Sequence, residues 1–495
     1  MSSDTRIRVV FLTPELAPLA KTGGLADVTG ALPKYLARNP RLEVVAIMPL
    51  HREVRKKNLP LKPVFRQLTL NWPGPEKFFS VHEFQAEGFR VYLIDNPRLF
   101  DRDYLYSTPE GDYPDNGERF AFFSLAALET LRNLPFKPDI IHAHDWQSAL
   151  TFAYLRHRPA IDGFFVNTRL LFTIHNLAYQ GLFPADLLGR VGLPGHLFNP
   201  EDLEFYGKVN FLKAGLLYSD AISTVSPTYS REIQTAEFGC GLEGVLRKRS
   251  ERLFGILNGI DYLDWNPETD PALPAHYSRG NLAGKSVCRL ELLRHFNFPL
   301  DSARPVVGMV SRLAGQKGFD LLARSLDELL KKELYLVILG TGEIEIQNLL
   351  VEAQKKYPDR FGLKIAFDDR LARLIYAGSD FFLIPSRYEP CGLTQMYSLR
   401  YGTVPIVRST GGLRDTVSEF NPSTLQGNGF LFQDYQTGSL VEAVSRALAF
   451  YRKEPFWSRL VDNGLSSDFS WEKSAEDYFD LYCQMLSWPA GARSS

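Results

Sequence analysis

Cysteine is scarce: Cys240, Cys288, Cys391 and Cys483 are the only four in 495 residues. No two lie close enough in sequence for a metal knuckle or a redox pair, so reduced thiols in a reducing compartment are expected. Excess charge of either sign is also missing. The 56 basic side chains nearly cancel the 57 acidic ones, which removes the electrostatic case for a nucleic-acid partner. No apolar run approaches membrane length, so no membrane association is expected. The first strand is expected to begin near Arg6, so no signal peptide is expected. The expected location is the cytoplasm, or the plastid stroma if a transit peptide has been removed. No short-period repeat or low-complexity tract is visible. The glycine-rich stretches match neither the Walker pattern nor the dinucleotide fingerprint, because their spacing is wrong for both.

What remains is the composition of an ordinary globular protein, 45% hydrophobic and 23% charged. Its length exceeds what one hydrophobic core organises and implies two or three domains. Aromatics reach 13%. Sugar binders use aromatic faces, but core packing accounts for most of these. Short apolar, β-branched runs alternate with helical stretches. One series comprises Glu43–Met48, Phe89–Ile94, Asp139–His142, Leu170–Ile174 and Ala221–Val225. The other comprises Val306–Val310, Leu334–Leu339, Gly362–Ala366, Phe381–Ile384 and Val404–Val407. Strands buried on both faces and separated by helices predict parallel sheets in two doubly wound α/β domains. The expected boundaries are 1–255 and 256–470, joined near Leu253–Asp264. A terminal helix, Trp471 to Trp488 with the domain extended to 490, is expected to return across the first domain.

In open parallel sheets, ligands bind beyond the carboxyl ends of the strands. Lys21-Thr22-Gly23-Gly24-Leu25 follows the apolar strand Arg8–Thr13 and opens a helix. Gly23 and Gly24 let the backbone turn its N–H groups toward phosphate oxygens, and Lys21 adds a point charge. In the second series, Ser311–Gly318 carries Arg312 and Lys317 at a strand end. Gly340-Thr341-Gly342-Glu343 links the next strand to a helix. Pro385–Gln395 then sets Glu389 three residues before Gly392, at another helix start. Each piece alone reads equally as a surface charge, a glycine turn or a cap. Their succession at strand ends of one domain points to a diphosphate-bearing substrate.

With these motifs the chain resembles the bacterial glycogen synthases and plant starch synthases. The resemblance runs through Lys21–Val28, Asp139–Trp146 (DIIHAHDW), Thr173–Gly181 (TIHNLAYQG), Asn258–Asp261, Ser311–Gly318, Ser386–Thr394 and Arg408–Gly412. It implies a GT-B type fold, in which two Rossmann-like domains, an acceptor-side one first and a nucleotide-sugar-binding one second, face a central cleft. The implied reaction is metal-independent, retaining transfer of glucose from ADP-glucose to the 4-hydroxyl at the non-reducing end of an α-1,4-glucan or maltooligosaccharide. No cofactor is implied.

The resemblance also implies roles. Arg312 and Lys317 match the family's diphosphate pair, and Lys21, Gly23 and Gly24 close on the same group from the opposite domain. Gly340, Gly392, Leu393 and Thr394 offer backbone at strand ends and a helix start. Glu389 aligns with a glutamate beside the transferred glucose, either as a nucleophile or as a stabiliser of positive charge during front-face attack. The family's pattern favours the second. His175 and Asp145 contact the sugar. Phe367 either stacks on the base or packs in the core. Asn258 contacts substrate or sets the hinge, and Cys391 lies beside the active carboxylate, where alkylation is expected to inhibit. Asp101-Arg102-Asp103 resembles the Asp-x-Asp of metal-dependent glycosyltransferases but lacks their strand context, so a solvated loop is expected. His142-Ala143-His144-Asp145 is read without a metal. Competing functions are a UDP-glucose-dependent synthase, a non-catalytic glucan-binding paralogue and a glucan phosphorylase. The paralogue would be expected to lose Lys21, Arg312, Lys317 or Glu389, and no residue identifies the pyridoxal phosphate lysine of a phosphorylase.

Overall fold

The computed structural model describes residues 6–158, 163–301 and 303–489. The chain divides into two compact units. One comprises the residues up to Val225, Ser230–Leu257 and the stretch from Trp471 onward; the other comprises Ser226–Tyr229 and Asn258–Ser470.

The first unit is built on a nine-stranded sheet. In chain order its strands are β1 (Ile7–Leu12), β2 (Leu42–Pro49), β3 (Lys62–Leu70), β4 (Lys77–Gln85), β5 (Arg90–Asp95), β6 (Ile140–His144), β7 (Arg169–Ile174), β8 (Ala221–Thr224) and β9 (Leu253–Gly255). Across the sheet they run β9-β8-β7-β6-β1-β2-β5-β4-β3. All neighbours from β9 to β5 are parallel, whereas β4 is antiparallel to both β5 and β3. Val9, Val10, Phe11 and Leu12 are completely buried. A strand covered on both faces needs apolar residues at every position, which is why β1 reads as a continuous run.

The β3–β4 hairpin escapes that reading for the opposite reason. Most of β3 is exposed or half-buried, so it offers no continuous apolar run. Strand β9 occupies the start of the segment expected to be the joint, and as a short edge strand it is only half-buried.

Helix Gly24–Leu36 and helix Trp471–Ser487 share the first unit's core. Val28, Leu32 and Leu36 of the former join Trp471, Tyr478, Leu481, Tyr482 and Met485 of the latter in one buried cluster. The helical spacing of those five residues forms a single apolar stripe. Burial stabilises by about 1.5–3 kcal/mol for each large apolar side chain.

The second unit has a six-stranded, wholly parallel sheet. Its strands are β10 (Val306–Val310), β11 (Tyr335–Gly340), β12 (Phe361–Ile365), β13 (Phe381–Ile384), β14 (Val404–Arg408) and β15 (Phe430–Phe432), ordered β12-β11-β10-β13-β14-β15. Helix Phe319–Leu330 follows the Ser311–Gly318 stretch and buries Leu322, Leu326, Leu329 and Leu330. Strand β15 is too short for periodicity to reveal. Among the described residues, no helix is long and apolar enough to cross a membrane.

Candidate active site

A doubly wound sheet has a switch point where the chain leaves one strand and later returns to its other side. The loops after those two strands part there and leave a crevice. In the second unit the chain runs β10, β11, β12 outward and then returns to the far side of β10 as β13. The loop after β10 carries Lys317 and the loop after β13 carries Glu389. Lys317 closes the short helical turn Gly315–Lys317, and Gly318 follows in the left-handed region at φ 79°. A Cβ on Gly318 would lie 2.0 Å from the Pro385 carbonyl oxygen, so only glycine lets the two loops meet.

That approach creates the central contact of the second unit. The Lys317 ammonium donates to both oxygens of Glu389, at 2.9 Å to Oε1 and 2.7 Å to Oε2. The Ser386 hydroxyl donates to Oε2 at 2.9 Å. Glu389 is only 6% exposed, and these charge-assisted bonds compensate its lost hydration. Behind it, Gly411 at φ 45° accommodates the Glu389 carbonyl, which would lie 1.9 Å from a Cβ, and the Gly412 N–H donates to that carbonyl at 3.1 Å. The helix Thr394–Arg400 has Leu393 at its N-cap. Its start is pinned by the Gln395 amide, which donates to the carbonyls of Cys391 (3.1 Å) and Gly392 (2.8 Å). Gly392 sits at φ 73°.

Arg312, beyond β10, is exposed; its carbonyl accepts from the Ser311 hydroxyl at 3.2 Å, but its guanidinium has no hydrogen-bond or ion-pair partner among the described residues. Its neighbour Leu313 ties that loop to the one after β11, donating its N–H to the Thr341 carbonyl at 3.0 Å. Gly340 ends β11, and a Cβ there would meet the Ser311 carbonyl at 2.0 Å, so contact between loops accounts for this glycine without a ligand. Phe367 follows β12 and is 89% exposed, which rules out the core-packing alternative. Asn258 is buried, with its Oδ1 lacking a partner. Cys391 does not fit the expectation of an alkylation site: it is 5% exposed, and burial pushes its thiol up to about 12.

The first unit has its own switch point, between β1 and β6. Here the structure corrects the expectation that Lys21–Gly24 follows directly on a strand, because the loop Thr13–Gly23 intervenes. Glu15 folds that loop. Its carboxylate accepts from the Thr22 N–H at 2.5 Å and from the Thr22 hydroxyl at 2.9 and 3.0 Å. The Thr29 hydroxyl donates to its main-chain carbonyl at 2.7 Å. Burial raises the Glu15 carboxyl to about 7 despite the Thr22 bonds. Lys21 is half exposed and paired with Asp27 at 2.6 Å. Gly23 is extended, with open space where a Cβ would be, and Gly24 begins the helix.

Across the switch point, Asp145 caps helix Trp146–His157 at φ 54°. That conformation costs a residue with a Cβ about 1–3 kcal/mol. It aims the carboxylate at the backbone after β7, where Oδ1 accepts from the His175 N–H at 2.7 Å. Burial raises Asp145 to about 7 as well, with Glu15 contributing like-charge repulsion. His175 and His144 meet ring to ring, Nε2 to Nδ1, at 2.9 Å. His142 is spanned by the Tyr482 hydroxyl on Nδ1 (2.9 Å) and the Thr173 hydroxyl on Nε2 (2.6 Å). Burial lowers all three imidazoles, His175 to about 3, so they are neutral at pH 7. Among the described residues, no group of three or more His, Cys, Asp or Glu side chains is placed to hold a metal ion. Asp101 and Asp103 are both engaged by Arg52, at 2.7 and 2.6 Å, while Arg102 binds Asp115.

Within the second unit, Lys317, Glu389, Gly392, Cys391 and Asn258 come together; Asp145 and His175 come together in the first. Three further residues hold these groups without having been singled out from the sequence. Ser386 and Gln395 lie inside a quoted motif, but Glu15 carries no local signal, since nothing in Thr13–Ala20 marks that acid as buried.

A family described as starch synthase catalytic domain matches residues 8–248, and one described as glycosyl transferases group 1 matches residues 293–455. A glycogen synthase of Koribacter versatilis is 47% identical over 477 residues, covering 96% of this chain and 98% of that protein. A glycogen synthase of Thermotoga maritima is 44% identical over 488 residues, covering 97% and 99%. Among solved structures, the catalytic domain of starch synthase IV from Arabidopsis thaliana, bound to ADP and acarbose, superposes with a TM-score of 0.89. It is 36% identical and covers 98% of this chain and all of that one. The chain therefore belongs to the glycogen synthase and starch synthase family, glycosyltransferases of the GT-B class with two Rossmann-like domains.

Proposed function

We propose that this protein elongates an α-1,4-glucan by transferring glucose from ADP-glucose to the 4-hydroxyl of a non-reducing end, with retention and with neither metal nor cofactor, in the cytoplasm. The observation that carries this reading is the Lys317–Glu389–Ser386 contact at the second unit's switch point, with the Arg312 guanidinium, unpartnered among the described residues, in the same loop as Lys317. The ADP bound by the related starch synthase supports the choice of base.

The electrostatic demand of the reaction is charge growing on the departing diphosphate. Preorganised cations meet it without reorganisation. Lys317 has three donor hydrogens and directs bonds to both Glu389 oxygens, leaving capacity for a phosphate oxygen. Arg312 brings an unsatisfied fork suited to bidentate phosphate recognition. Lys21 is the first unit's own exposed cation, paired with Asp27. The exposed Phe367 ring suits stacking on the base, and Gly392, Leu393 and Thr394 present main chain to the donor. Asp145 and His175 bind sugar hydroxyls. A carboxylate held on both oxygens is a poorer nucleophile than a free one. Glu389 therefore fits stabilisation of positive charge at the anomeric carbon, with front-face attack.

The test is initial rates on maltoheptaose with ADP-glucose and UDP-glucose, with EDTA present, and product anomers read by proton NMR. Faster transfer from ADP-glucose giving α-linked product is expected. Abolition by EDTA, or a preference for UDP-glucose, would contradict the proposal.

A further inference from the structure

His144 belongs to a quoted motif but has no role in the reaction as described so far. It is completely buried, and its ring is wedged between Phe11 (centroids 5.3 Å apart, 14° between planes) and His142 (4.2 Å, 33°). One nitrogen, Nδ1, meets Nε2 of His175 at 2.9 Å. The other, Nε2, is buried with no partner. Packing on both faces prevents the ring from turning that nitrogen toward solvent.

Burial keeps both imidazoles uncharged at pH 7. Two neutral rings share a single proton across their contact, so one must donate and the other accept. If His175 donated, the proton of His144 would sit on its orphaned Nε2, leaving a buried N–H with no acceptor. Native structures avoid such a group more strongly than an idle lone pair. If His144 donates from Nδ1, its Nε2 is only an unused lone pair. The second arrangement is the cheaper one. It makes Nε2 of His175 the acceptor and forces the His175 proton onto Nδ1, which has no hydrogen-bond partner among the described residues.

We propose that His144 is a positioning residue that fixes His175 as its Nδ1–H tautomer, so that the sugar meets a hydrogen-bond donor there. The backbone is held independently, by the bond from the His175 N–H to Asp145. The site then selects an oxygen acceptor such as a hydroxyl oxygen, and disfavours a group that can only donate. This inference rests on the assignment of His175 to sugar binding, but its first test needs no substrate.

The protein is labelled with nitrogen-15 histidine, and the ring nitrogens of its nine histidines are resolved by NMR, with His175→Gln identifying the signal. Nδ1–H is expected in the native protein. His144→Phe keeps a stacked ring but removes the donor, and should give mixed tautomers with turnover down about 10- to 100-fold, as when other orienting partners of functional histidines are removed. Its KM for the acceptor should change far less. His144→Asn keeps a donor near the original Nδ1 and should restore both the tautomer and most of the turnover. A native His175 protonated on Nε2 overturns the proposal whether or not His144→Phe folds. An unchanged tautomer in folded His144→Phe overturns it too. If no glucosyl transfer were measurable at all, the functional reading would fail while the tautomer experiment still decided the role of His144.

Discussion

At the second unit's switch point a full ion pair persists in near-burial, because Lys317 and Ser386 satisfy the Glu389 carboxylate. At the first unit's switch point no cation among the described residues contacts either buried carboxylate, and Glu15 and Asp145 are both raised to about 7. The histidines beside Asp145 are neutral. One crevice therefore stabilises charge, and the other suppresses it. The difference suits a transfer in which one substrate departs with negative charge while the other brings only hydroxyls.

The largest break in that contrast should come from the charged side. Glu389→Ala is expected to lower turnover about 10³-fold with the fold intact, read by initial rates and circular dichroism. A variant with turnover within tenfold of the native protein would show that the paired carboxylate is structural. Arg312→Ala should follow at about 10²- to 10³-fold, as when one preorganised donor is lost. Because the Arg312 guanidinium has no partner to strand among the described residues, the unfolding midpoint should not move.

Phe367→Ala should raise the donor KM roughly 5- to 150-fold, the equivalent of about 1–3 kcal/mol for one base stacked on an aromatic ring. Phe367→Trp should restore it. Equal KM values for all three would remove the ring from the donor site.

The neutral crevice makes its own prediction, on stability. Raised Glu15 and Asp145 hold protons in the folded state that the unfolded chain releases, so their contribution weakens as pH rises toward 7. His51, His142, His144 and His175 are lowered, so the folded state refuses protons that the unfolded chain binds below pH 6.5. The histidines outnumber the carboxylates by two. Between pH 6.5 and 5 the first unit should therefore lose stability on acidification, by up to about 3 kcal/mol per pH unit. Urea unfolding at several pH values reads that slope, and a stability that rises on acidification would refute it. The smallest effect belongs to Asp103→Ala, which removes one exposed ion pair and leaves Arg52 bound to Asp101: turnover should stay within about twofold and stability within about 0.5 kcal/mol.

The parallel strands were legible in the sequence because burial on both faces writes continuous apolar runs such as Val9–Leu12. The β3–β4 hairpin was not, because exposed strands write no such run. Lys317, Glu389 and His175 were legible as motif residues at strand ends. Their partners were less so. The bond from Lys317 to Glu389 joins loops 72 residues apart and depends on the left-handed turn at Gly318. The acid at Glu15 is made buried by folding, and composition does not encode that. The pairing of Lys21 with Asp27 needed side-chain geometry, even though Asp27 is the one acid in helix Gly24–Leu36.

The bond from Tyr482 to His142 joins residues 340 positions apart. The second unit, apart from Ser226–Tyr229, is one uninterrupted stretch, whereas the first must wait for residues from Trp471 onward to complete its core. During synthesis from the amino terminus, the later-made unit has all it needs to fold before the earlier-made one is finished. Until its last helix emerges from the ribosome, the nascent first unit carries an uncovered apolar groove along Val28, Leu32 and Leu36, which is where a chaperone would find it.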